Sequence, residues 1–424
     1  MIRLLDYETI LKDRILRLCL PAGRQGSILG QSPTLFREKK TPMKSKKIML
    51  VAGEVSGDLH GAHLVEAIQE IDPDIEFFGV GGEGLEKRGM KLLRHVHSLS
   101  VVGISEAFRK LRTALKALQE LKEAMEQERP DLVILIDYPE FNLRLARIAR
   151  QKRIPVLYYI SPQIWAWRPG RVKSIAKLVR KMVVLFPFEV PLYQAAGVDV
   201  EWVGHPLLDI VRPSLPREEA LKQFGIDPEQ KTIAFLPGSR IEEVARLLPP
   251  MLTSAALLQR AIPKLQFILP LAPGISGTDL YPILRDTFVP ITVVNGFSYD
   301  VMALSDIIIT ASGTATLEAA ILGKPMVIVY KVSSLSYWVA RALIRVKHIG
   351  LVNLVAGKEI ARELLQEEVN PERIAEEALR LLRDSVLYEK TVESMAEVRQ
   401  SLGESGAASR AARIVLSLLR ENKV

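Results

Sequence analysis

The sequence predicts an α/β protein built from two Rossmann-like, doubly wound domains facing across a cleft. Two consecutive series of short, apolar, β-branched runs alternate with helical segments, the pattern of parallel sheets covered on both faces. Between them, Leu207 to Gln230 has weak periodicity and recurrent proline, and is expected to be an interdomain linker. Polar glycine turns follow several of the strands, at the sheet edge where such folds bind ligands. The expected divisions are an extension at 1–43, a first domain at 44–208, a second at 209–385, and C-terminal helices at 386–424 that pack back on the first domain.

Residues 1–43 do not read as part of the fold: their apolar runs are too short for a signal sequence and PAGRQGSILGQSP is turn-rich, so a translation start at Met43 is expected. Lys47 to Ala52 is a buried strand running into the turn Gly53-Glu54-Val55-Ser56-Gly57-Asp58, with a helix from about Leu59 to Glu70. This is not GxGxxG, and no acid closes a following strand, which disfavours a dinucleotide. A second strand at Phe77 to Val80, a helix over 105–128 and a third strand at Asp131 to Ile136 follow.

Asp137 stands at the carboxyl end of that third strand, where an ionised carboxylate can act as a general base; capping the helix that starts near Phe141 is the structural alternative. The next strand, Pro155 to Ile160, ends in Ser161-Pro162-Gln163-Ile164-Trp165-Ala166-Trp167-Arg168, a basic loop with two tryptophans that suits an acyl chain or membrane interface as well as core packing. Strands at Met182 to Phe186 and Val200 to Val203 complete the series, the latter ending at Gly204-His205-Pro206, where a structural hydrogen bond is the expected role of His205.

The second series opens with Lys231 to Leu236 and the turn Pro237-Gly238-Ser239-Arg240, which puts an always-charged guanidinium beside a glycine, as phosphate binding requires. Strands near Leu265 to Leu269 and Ile291 to Val294 lead to DIIITASGTATLEAAILGKPMVIVYK (306–331), read as strand, turn, helix, strand. In its turn, Ser312, Gly313 and Thr314 offer close backbone approach and a helix start. Glu318, one turn later, can accept hydrogen bonds from sugar hydroxyls or merely complement the helix dipole. An aromatic, basic helix is expected at Tyr337 to Lys347, and helices from Pro371 to about Leu419.

Composition narrows the function. The chain is 48% hydrophobic over 424 residues, enough for two cores, and its single cysteine, Cys19, excludes an internal disulfide. Residues 1–47 carry eleven Lys/Arg against four acids and account for most of the net +8, so the charge does not argue for nucleic acid. Residues 141–188 hold eleven Lys/Arg and no acid, and 324–358 hold six basic residues and no acid, which suits a phosphorylated ligand or an anionic membrane surface; a solvated face whose acidic partners come from elsewhere in the fold is the structural alternative. The Asp-x-Asp at Asp72-Pro73-Asp74 falls at the sheet edge away from the cleft, so no metal is expected.

Six separated stretches, GEVSGDLHGAHL (53–64), ILIDYPEFN (134–142), YYISPQIWAWRPGRV (158–172), FLPGSRIEEV (235–244), ASGTATLEA (311–319) and LVNLVAGKEIARELLQEE (351–368), together resemble the lipid-A-disaccharide synthases, from about Ile48 to the C-terminal helices. The resemblance implies a GT-B glycosyltransferase without cofactor that joins UDP-2,3-diacylglucosamine to lipid X, with inversion and release of UDP. It implies Asp137 as catalytic residue and Arg240, Glu318 and Asn353 in donor handling, with Gly238, Ser239, Ser312, Gly313 and Thr314 lining the donor side. On the acceptor and lipid side stand Gly53, Glu54, Ser56, Asp58, Gln163, Trp165, Trp167 and Arg168. Peripheral association with the cytoplasmic face of the inner membrane is implied too, and a homo-oligomer is admitted. An ordinary aspartate pKa near ~4 suffices for the base. A UDP-sugar 2-epimerase and a catalytically silent UDP-lipid binding protein are the rival readings.

Overall fold

A computed structural model describes residues 3–5, 45–96, 107–162, 169–285, 287, 289–332 and 347–421. The first sheet contains β2 (Lys47–Ala52), β3 (Glu76–Gly81), β4 (Lys91–His95), β5 (Leu132–Ile136), β6 (Val156–Tyr159), β7 (Lys181–Val184) and β8 (Val200–Trp202) in the order β4-β3-β2-β5-β6-β7-β8, all parallel. The second contains β9 (Lys231–Leu236), β10 (Leu265–Leu271), β11 (Ile291–Asn295), β12 (Ile307–Ala311), β13 (Met326–Tyr330) and β14 (Arg362–Leu365) in the order β11-β10-β9-β12-β13-β14, again parallel. Alternation along the strands feeds three cores. Met49 and Val51 face one side of the first sheet, and Ile233 and Phe235 one side of the second. Ile48, Leu50, Ala52, Ala234 and Leu236 enter a third core shared by both domains.

Three findings differ from the sequence reading. A strand β1 (Arg3–Leu5) pairs in parallel with β11, so the segment 1–43 is not wholly outside the fold. The open edge of a parallel sheet presents unpaired N–H and C=O groups that any short extended segment can meet. The helix after β2, α1 (Val55–Ile71), starts earlier than expected, because Asp58 N–H donates to the Glu54 carbonyl at 3.0 Å and closes a helical turn over the glycine. The stretch read as a linker is packed: Leu207, Val211, Leu215, Ala220, Phe224 and Ile226 join the shared core. Its bend is held by Asp300, whose carboxylate accepts from Ser214 N, Ser214 Oγ and Leu215 N at 2.8, 2.9 and 2.8 Å. A partner 86 residues away leaves no mark on local periodicity. The helix expected at Tyr337 to Lys347 lies outside the described residues except for Lys347.

The chain then crosses back. Among its last helices, Ala407–Glu421 lies along α1. It is held there by Lys46 Nζ on the Leu419 carbonyl (2.7 Å), Arg410 Nε on the Val203 carbonyl (2.8 Å) and Gly406 N–H on Asp209 Oδ1 (2.8 Å).

Candidate active site

In a doubly wound sheet a crevice opens at the carboxyl ends of the strands where the strand order reverses. The first sheet reverses between β2 and β5, whose last residues Ala52 and Ile136 are partners, so Gly53-Glu54 leaves the sheet beside Asp137-Tyr138. The fit is tight: a Cβ on Gly53 would stand 2.4 Å from Tyr138 Cβ and Cγ, so only glycine passes. Asp137 and Tyr138 take φ of 49° and 44°, left-handed backbone that costs non-glycine residues on the order of 1–3 kcal/mol each. It turns the chain sharply into α2 (Pro139–Gln151). Buried Asn142 offsets the cost, its Nδ2 donating to the carbonyls of Ile136 (3.0 Å) and Asp137 (2.7 Å), and Tyr158 OH donates to the same Asp137 carbonyl at 2.6 Å.

Burial, reinforced by the negative charge of Glu54, raises the Asp137 carboxyl to about 6, against a backbone hydrogen bond from Tyr138. The sequence reading required no shift; burial and the neighbouring Glu54 supply one. Ser56 is exposed in the first turn of α1. Asp58 is not an open acceptor contact, because its carboxylate takes the N–H groups of Gly82 (2.6 Å), Gly84 (2.9 Å) and Leu85 (3.2 Å) and so braces the turn after β3. Gln163, Trp165, Trp167 and Arg168 lie outside the described residues. Just before them, Ser161 Oγ donates to the buried Glu189 carboxylate. His205 accepts from Leu207 N–H through Nδ1 at 3.2 Å, the structural bond expected of it.

The second sheet repeats the geometry. It reverses between β9 and β12, and Leu236 pairs with Thr310, so the turns Pro237–Arg240 and Ser312–Thr314 emerge side by side. Gly238 has φ of 121°, and a Cβ there would meet Glu243 Oε2 at 2.6 Å. Ser239 is exposed, and so is Arg240, whose guanidinium reaches Glu243 Oε1 at 3.1 Å while its side chain stays 75% exposed. Gly313, at φ of 149°, has open space where a Cβ would stand. Thr314 is exposed, and the short helix α3 (Ala315–Ile321) carries Glu318. Burial pushes the Glu318 carboxyl up, against a hydrogen bond from Tyr299 OH to Oε1 at 3.3 Å. Sequence reasoning missed Tyr299; the signal for it was its place just after β11, at the same carboxyl edge. Asn353, expected in donor handling, spends its whole amide inside the protein: Nδ2 donates to the Ala361 carbonyl and Glu363 Oε1, and Oδ1 accepts from Ile360 and Ala361 N–H, all at 2.7 to 3.0 Å. Among the described residues no three His, Cys, Asp or Glu stand close enough to share a metal ion.

A family model described as lipid-A-disaccharide synthetase matches residues 48–416. The chain belongs to the lipid-A-disaccharide synthetase family. It is 49% identical over 379 residues to a lipid-A-disaccharide synthase of Geobacter sulfurreducens, covering 89% of this chain and 99% of the relative. A lipid-A-disaccharide synthase of Coxiella burnetii is 42% identical over 377 residues, covering 89% of this chain and all of the relative. Among solved structures, the MnaA–UDP co-structure from S. aureus superposes with a TM-score of 0.61 at 16% identity, covering 88% of this chain and 97% of that one. The calicheamicin glycosyltransferase CalG4 superposes with a TM-score of 0.58 at 16% identity, covering 90% and 100%. These two likenesses show the fold alone, the GT-B arrangement of two parallel-sheet domains. A lipid-A-disaccharide synthase is an enzyme of lipid A biosynthesis, and its two switch points are the places on this fold where chemistry-bearing side chains converge.

Proposed function

We propose that this protein transfers 2,3-diacylglucosamine from its UDP derivative to the 6-hydroxyl of 2,3-diacylglucosamine 1-phosphate (lipid X), giving the β-1′,6-linked disaccharide 1-phosphate and UDP. The observation that carries the reading is Asp137, a half-buried carboxylate held at the first switch point by a pinned, left-handed backbone. The carboxylate takes the proton of the acceptor hydroxyl as its oxygen attacks the anomeric carbon. The bond from that carbon to the UDP oxygen breaks on the opposite side, so the configuration inverts. UDP departs with the electron pair, its charge met by Arg240, and Glu318 holds donor hydroxyls.

The test is UDP release from UDP-2,3-diacylglucosamine in EDTA, with and without lipid X, and the lipid products weighed by mass spectrometry. Release that requires lipid X and yields the disaccharide is expected; acceptor-independent release with an isomerised sugar would replace the reading by an epimerase. Asp137→Asn is expected to lower turnover by roughly 10²- to 10⁴-fold with UDP binding unchanged.

An anionic membrane surface is the second partner. Among the described residues of the acid-free stretch, Lys152, Arg171, Arg180 and Lys181 reach carboxylates from elsewhere, whereas Arg144, Arg147, Arg153, Lys173 and Lys177 are exposed without an ion pair. No helix among the described residues is long and apolar enough to cross a membrane. Binding to vesicles containing phosphatidylglycerol that weakens with salt is expected, and equal binding to phosphatidylcholine vesicles would count against this surface.

A further inference from the structure

Glu363 is an acid in a short edge strand, and no role in the reaction falls to it from the sequence. It is 8% exposed, and its carboxylate is the hub of a hydrogen-bond set that ends at the donor-side turn. Oε2 accepts from Ile349 N–H at 2.9 Å, and Oε1 accepts from Gly350 N–H at 3.0 Å and from Asn353 Nδ2 at 2.8 Å. Asn353 in turn ties Ile360 and Ala361 to the same hub. The backbone so gripped leaves no room for adjustment, since a Cβ on Gly350 would meet Ile328 Cδ1 at 2.6 Å and Glu363 Oε1 at 3.2 Å. On its far side the gripped segment meets the turn after β12. Ser312 Oγ donates to the Ile349 carbonyl at 3.0 Å, and Thr316 Oγ1, bound to the Gly313 carbonyl at 2.8 Å, accepts from Val352 N–H at 3.4 Å.

We propose that Glu363 is a positioning residue for the UDP half of the reaction: acting with Asn353, it clamps the Ile349–Gly350 segment that seats Ser312 and Gly313. Asn353 then serves the donor through this segment and not by touching it, since its amide is already spent. This rests on the donor lying at the second switch point, as proposed above. A carboxylate is suited to the task because it accepts several N–H groups at once, and charge-assisted bonds of this kind are about twice as strong as neutral ones.

The experiment compares Glu363→Ala, Glu363→Gln, Asn353→Ala and the double alanine variant with the parent protein. UDP binding is measured by calorimetry, kinetics with donor and acceptor varied separately, and stability by thermal melting. Expected for Glu363→Ala is a roughly ten- to hundred-fold rise in donor KM and in UDP Kd, the range in which small misplacements act. Acceptor KM should be unchanged, with Glu363→Gln intermediate because it keeps one acceptor oxygen. The double variant should bind UDP no worse than Asn353→Ala alone, as two parts of one device require. A lowered melting point with donor KM and UDP Kd unchanged in both Glu363 variants would overturn the clamp. Losses that add in the double variant would overturn it too. Absence of UDP binding by the parent protein would overturn the donor assignment along with it.

Discussion

Asp137 combines two demands that oppose one another. With its carboxyl at about 6, it is mostly ionised near neutrality yet a stronger base than an ordinary aspartate. Protonation removes the base, so kcat/KM is expected to rise with pH through about 6. The groups that face it are Glu54 from the turn after β2, Tyr138 from its own turn and Tyr158 from β6, with Asn142 on its carbonyl and Arg171 felt through Tyr158. Replacing Glu54 by Gln removes the second cause of the shift and leaves burial, so the acid limb should move toward lower pH without reaching the ordinary value; an unmoved limb would show that Glu54 does not tune the base. The folded value lies above the unfolded one, so this group's contribution to stability is full below pH 3.8 and is lost as pH rises through about 6. Asp137→Asn is therefore expected to melt higher than the parent at pH 7, which calorimetry would check, while losing turnover.

Among the elements, the strands and their edges were legible and the side-chain assignments only in part. Runs such as KIMLVA and KTIAFL gave β2 and β9 to the residue, because a buried parallel strand is a continuous apolar run. The position of Asp137 at the carboxyl edge of the sheet followed from its place at the end of such a run. Asp58 and Asn353 did not, because a polar residue in a turn can face a crevice or brace the turn, and the choice is made by partners far along the chain. Asp58 is spent on amides 24 to 27 residues away. Gly82 and Gly84 are shaped around it, since Cβ atoms there would meet Asp58 Oδ2 at 2.9 and 2.7 Å. Asp58→Ala should thus cost on the order of 3 kcal/mol in urea unfolding, stranding buried N–H groups, with Asp58→Asn milder and the donor KM unchanged in both. A variant as stable as the parent would show that water replaces the carboxylate.

For the molecule as a whole, the shared core is also its acid-sensitive part. Burial lowers His60 to about 4, helped by His63, and lowers His205 to about 3, helped by His60. His205 packs its ring on Phe186 at 5.2 Å, and His60 Nδ1 is buried without a hydrogen-bond partner among the described residues. Their folded values lie below the ordinary 6.5, so the stability they permit is whole above pH 6.5 and is lost as pH falls toward 4 and 3. Acid unfolding followed by circular dichroism should fall in this window. His60→Leu should move its midpoint to lower pH, and an unmoved midpoint would place the acid trigger elsewhere. The helix Ala407–Glu421 closes this core over α1, although more than three hundred residues separate the two in the chain. During synthesis, at about 5–20 residues per second, the apolar side of α1 waits on the order of tens of seconds for its cover. The first domain is therefore completed only after the second has been made, since its cover is encoded beyond both sheets.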